Sequence, residues 1–85
     1  MLFMVVETIQ DVDAVGERFR RQGRMLPANV QYLDSWMSTE GNRCYQLMEA
    51  PTQAELDEWA RRWDDLGSFE IIPVETSAAY WAKRG

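Results

Sequence analysis

The chain alternates between two periods of apolar residues. "MLFMVVET" opens it with six apolar residues before Glu7, a run of strand length. In "DVDAVGERFRRQG", Val12, Val15 and Phe19 fall at i, i+3 and i+7, which predicts a helix capped by Asp11 and closed by Gly23. Beyond a loop marked by Pro27 and Asn29, the β-rich runs "VQYLDSWMST" and "RCYQLMEA" flank "EGN", which predicts a hairpin turning near Gly41. A second helix begins after Pro51, where Thr52 and Glu55 have the spacing of a capping box. Leu56, Trp59, Ala60, Trp63 and Leu66 form its apolar stripe, and Gly67 is its expected end. "SFEIIPVE" reads as a fourth strand, placed at an edge by Pro73, and "SAAYWAKR" as a short tail helix.

The order βαββαβ plus a tail helix predicts an α+β, ferredoxin-like domain over residues 1–85, with two helices on one face of a four-stranded antiparallel sheet. Right-handed crossovers bring the first and third strands together in the centre. If Thr39 pairs with Asn42, the pleat sorts the hairpin into two faces. One carries Leu33, Ser35 and Met37 beside Cys44, Gln46 and Met48. The other carries Tyr32, Asp34 and Trp36 beside Arg43, Tyr45, Leu47 and Glu49. Two helices cover only one face, so the aromatic face with Tyr32, Asp34, Trp36 and Tyr45 is expected to meet the sheet of a second subunit. The face with Cys44 and Gln46 then lies beneath Trp59 and Trp63.

Composition narrows the function classes. At 85 residues the core is small, and a single Cys rules out an internal disulfide. With no His, no ordinary zinc set assembles within one chain, and no metal or cofactor is expected. A net charge of −5 argues against nucleic acid as a partner. No apolar run is long enough for a membrane span, the N-terminal stretch lacks a signal peptide's basic region, and a lone Cys suits a reducing, cytoplasmic setting. The exception to the acidic balance is Arg18, Arg20, Arg21 and Arg24. They read as cations opposing a helix dipole, with an anion site as the alternative.

Several blocks carry a resemblance. "GRMLP", "DSW", "RCYQLMEA", the paired tryptophans of "WARRWDDL" and "FEIIPV" resemble the signature blocks of a small, mostly bacterial family known as domain of unknown function 3303. The resemblance implies a dimeric α+β barrel. Proteins of that kind include cofactor-free monooxygenases, haem-degrading enzymes and many members without an assigned activity, and the family supplies no catalytic residues to carry over.

The candidate pocket residues are Gln46, Cys44, Ser35, Trp59, Trp63 and Arg43. A buried Gln46 amide has more hydrogen-bonding capacity than Ser35 alone meets, so either protein groups or a ligand complete it. Arg43 either pairs with Asp34 or Glu49 or presents its fork to a carboxylate ligand. Cys44 lacks a base, and an inert thiol is the reading set against a nucleophile. Trp59 and Trp63 are either plain core or the wall over a flat ligand. Glu7 and Glu49 are weighed as a carboxylate pair at the ends of neighbouring strands, against ordinary solvation there. The sequence thus points to a homodimer binding a small, partly apolar molecule between sheet and helices, with a monooxygenase-like enzyme or a structural module as alternatives.

Overall fold

In the computed structural model, which describes all 85 residues, the N-terminal apolar run becomes strand β1, Leu2–Ile9. Its odd-numbered residues Phe3, Val5, Glu7 and Ile9 are all buried, so Glu7 occupies a position that its neighbours give to apolar side chains. Helix α1, Val12–Gln22, is capped by Asp11, whose side chain accepts from the Ala14 N–H at 3.1 Å, and closes at Gly23 with φ 67°. The hairpin forms β2, Gln31–Met37, and β3, Arg43–Glu49. Helix α2, Gln53–Arg61, starts in the expected Thr52–Glu55 capping box. Strand β4, Gly67–Val74, and helix α3, Ser77–Arg84, complete the chain.

The sheet is antiparallel in the order β2-β3-β1-β4, the ferredoxin-like arrangement with β1 and β3 central. The expected hairpin register holds from Met37↔Cys44 to Asp34↔Leu47 and then slips by one at Leu33. This bulge corrects the face of Tyr32. Because one extra residue inverts the pleat parity beyond it, Tyr32 turns to the helix side and bonds the Ser35 hydroxyl at 2.5 Å, while Leu33 is left exposed. Asp34, Trp36 and Tyr45 stay on the open face, with Trp36 51% exposed.

Only 12 residues are buried, and none lies in α1 or α3. Phe3, Val5 and Met48 of the sheet meet Leu56 and Trp59 of α2 and Trp63 just beyond it, with Trp59 edge-on to Phe69 at 5.5 Å. One helix therefore seals the core. The other stands off, with Val12 and Phe19 still 48% and 45% exposed.

Gly67 does not end α2, as its sequence position suggests. The helix stops at Arg61, turns carry the chain through Leu66, and Gly67 begins β4 opposite Ile9. A Cβ at Gly67 would lie 2.3 Å from the backbone oxygen of Thr8. Gly67→Ala should therefore cost about 1 to 3 kcal/mol by overpacking against backbone that cannot move aside. Urea unfolding measures this, and unchanged stability would contradict the close β1–β4 approach.

Candidate functional site

The gap between α1 and the sheet is a cleft of about 330 Å³, near the lower end for small-molecule sites. Its floor is the inward face of the central strands: Glu7, Cys44, Gln46 and, from β2, Ser35 and Met37. Val12, Val15 and Phe19 from α1 form the roof, and Trp59 and Trp63 close one end. Gly16 lies in the roof too, and a Cβ there would meet nothing within 4 Å. A wider depression of about 530 Å³ between β4 and α3 opens onto the surface and is lined by no buried residue.

Five of the six sequence-predicted pocket residues converge here: Ser35, Cys44, Gln46, Trp59 and Trp63. Arg43 does not. Strand alternation puts it on the opposite face, exposed and without an ion pair to Asp34 or Glu49. The two tryptophans are at once core and wall, since both are nearly inaccessible and both reach the cleft.

Gln46, 6% exposed, donates through Nε2 to Oε1 of Glu7 at 3.3 Å. Sequence reasoning missed this partner because it weighed Glu7 against Glu49. In the antiparallel ladder Glu7 faces Cys44 while Glu49 faces Leu2, so the two carboxylates sit at opposite ends of the pair and on opposite faces. The available signal was parity: Glu7 shares the odd register of Phe3 and Val5. Burial raises the Glu7 pKa above the usual 4.5, because the cleft hydrates the ionised form poorly. Burial also pushes the Cys44 thiol up to about 11, with the Glu7 charge adding to the shift and Arg24 opposing it. A thiol so placed stays protonated near neutrality and is a poor nucleophile.

The four arginines do not gather into one anion site. Arg20 and Arg21 pair with Glu17 on the exposed face of α1. Arg18 forks onto Asp65 at 2.8 and 2.7 Å and donates to the Arg62 carbonyl at 3.0 Å, with its guanidinium 5.5 Å from the Trp63 ring centroid. That fork tethers α1 to the turn after α2. Arg24 borders the cleft, with its Cζ 3.5 Å from the Tyr32 ring centroid and 5.0 Å from that of Phe19.

A family model matches residues 1–83 of the chain. This is a DUF3303 protein. The family is described as a domain of unknown function, so membership fixes the kind of domain and leaves its chemistry to the residues. No curated protein and no solved structure matches the chain. No helix of this DUF3303 domain is long and apolar enough to cross a membrane.

Glu7 gives the DUF3303 cleft a pH signature. With its native pKa above 4.5, the folded state binds this proton more tightly than the unfolded chain. Its contribution to stability is therefore greatest at low pH and declines as pH rises from about 4.5 through the raised native value. Asp65, held low by the Arg18 hydrogen bonds, and Glu55, held low by Thr52, act in the opposite sense at lower pH. Glu7→Gln should accordingly be more stable than wild type at pH 7, with the advantage fading toward pH 4.5. Thermal unfolding across that range tests this, and a pH-independent difference would contradict it.

Proposed function

We propose that this DUF3303 domain binds a small, partly apolar molecule in the cleft beneath α1 and works as a homodimer. One observation carries the binding reading: the inward face of the central strands holds the Gln46–Glu7 pair in a cleft whose roof and end wall are aromatic and aliphatic side chains. A domain with so small a core has little reason to bury a carboxylate for stability alone, since desolvation works against it. Val12 and Phe19 stay half exposed above an unfilled space, which a ligand would cover.

Dimerisation through the open sheet face is supported by what that face offers a second copy. Trp36 and Ile72 are exposed there, with Tyr45 and Leu47 half-buried between them. Arg43 has no acid partner in its own chain, and neither Asp34, Glu49 nor Glu70 has a basic one. A twofold interface brings each patch against its own copy, so these opposite charges can pair between subunits while the aromatics are buried.

A cofactor-free enzyme of the monooxygenase-like kind is the second reading, favoured by the same carboxyl. In a chain without His, Glu7 is the titratable group in the cleft whose raised pKa moves it toward the range where it can both take and return a proton. A purely structural module is the third alternative, and it requires no occupant in the cleft.

Gly16→Leu separates binding from structure. Leucine extends into open space from a helical position and should stabilise α1 by roughly 0.8 to 1 kcal/mol. The same side chain should fill the cleft, so toluene binding, followed through the Trp59 and Trp63 indole N–H resonances, should be lost in the variant. Equal binding by wild type and variant would place the site elsewhere, and no binding by either would favour the structural module. For the assembly, sedimentation should give a dimer that Trp36→Glu converts to monomer, and a wild-type-like dimer in the variant would exclude the open face.

A further inference from the structure

The polar groups around the cleft are incompletely used by the protein. Glu7 accepts one hydrogen bond, at Oε1, and Gln46 gives one, from Nε2. The second Glu7 oxygen and the Gln46 carbonyl oxygen accept none. Every fully enclosed side-chain nitrogen or oxygen in the chain has a partner, so these two oxygens keep an accessible edge beside the cleft that their residues line. Two free acceptors on the floor, beneath an apolar roof, suit a ligand that brings hydrogen-bond donors.

Arg24 is the complementary case. Its guanidinium lies against the Tyr32 ring and near that of Phe19, yet no carboxylate of the chain is within ion-pair distance. Its planar face is occupied, and its N–H edge is unclaimed by any acid. Glu7 and Arg24 are also electrostatic neighbours: both act on the Cys44 thiol, with opposite sign. A purely cationic ligand on Glu7 would meet the field of Arg24, and a purely anionic ligand on Arg24 would meet that of Glu7. A molecule carrying both charges suffers neither conflict.

We propose that the cleft is built for a small amphoteric aromatic molecule, its ammonium or N–H head on the Glu7–Gln46 pair, its carboxylate on the Arg24 guanidinium, and its ring between Phe19 and the two tryptophans. This rests on the cleft being a ligand site at all. The cavity of about 330 Å³ limits the occupant to a compact ring system. Each charged contact adds a charge-assisted hydrogen bond in a poorly hydrated setting, where such bonds discriminate most.

Four probes of similar size separate the contributions: toluene, benzylamine, benzoate and 4-(aminomethyl)benzoate, titrated against the full chain by NMR. The doubly charged probe should bind about tenfold or more tighter than either singly charged one, the scale of one charge-assisted bond. Glu7→Gln should reduce its affinity to that of benzoate, and Arg24→Met to that of benzylamine. If a variant fails to fold, the wild-type affinity ratios decide. Four wild-type affinities within about threefold of one another would overturn this inference and leave an apolar site in place. Failure of all four, toluene included, would remove the cleft as a ligand site and this inference with it.

Discussion

The carbonyl oxygen of Arg24 accepts hydrogen bonds from both tryptophan indoles, Trp59 Nε1 at 2.8 Å and Trp63 Nε1 at 3.0 Å, and the placement of the helical layer over the sheet depends on that shared acceptor. A buried indole N–H needs a partner, and Trp59 at the end of α2 and Trp63 in the turn after it meet theirs at the same carbonyl. One carbonyl with two lone pairs serves both. To aim it, the chain passes through Met25 at φ 58°, a left-handed conformation that costs a non-glycine residue on the order of 1 to 3 kcal/mol. The two indole bonds offset that cost, helped by Arg62, which donates to the Met25 carbonyl at 2.5 Å.

The cleft follows from this anchoring. The segment after α1 is pinned to α2, so α1 leaves the sheet at one end and returns to the helical layer at the other, with Val15 reaching the core and Val12 and Phe19 left half exposed. Arg18 and Asp65 hold it from the side, and the cation–π contact with Trp63 adds to the tether. No residue of α1 is fully buried, and the apolar stripe that predicts this helix borders a space it does not fill. The helix thus roofs a chamber more than it seals a core. Phe3, Val5, Met48, Leu56, Trp59 and Trp63 do the sealing a few residues away.

Within that chamber Glu7 and Cys44, cross-strand partners, are both disfavoured as anions by the same lack of water. Their raised pKa values act in opposite directions relative to neutrality: the thiol moves further from it and stays protonated, whereas the carboxyl moves toward it. Gln46 supports either form of the carboxyl, because its amide donates to an oxygen that remains an acceptor in both.

The sequence by itself determined the element order, the caps at Asp11 and Thr52, the central position of β1 and β3, and most of the cleft floor. Each rests on short-range periodicity, capping chemistry or a handedness rule. Period-two alternation was enough to align Ser35, Cys44 and Gln46 and to put Arg43 behind them. Only the tertiary structure decided the bulge at Leu33, which sends Tyr32 to the helix side, because one extra residue in a strand leaves no mark in a pattern of apolar positions. Only it assigned Gly67 to a strand, since the contact that requires glycine there comes from Thr8, far away along the chain. And only it joined Glu7 to Gln46 and opened the space above them, because the β1–β3 register sets which side chains meet across the strands and the fit of Arg24 to Trp59 and Trp63 sets where the chain after α1 returns, neither of which a local stretch of sequence encodes.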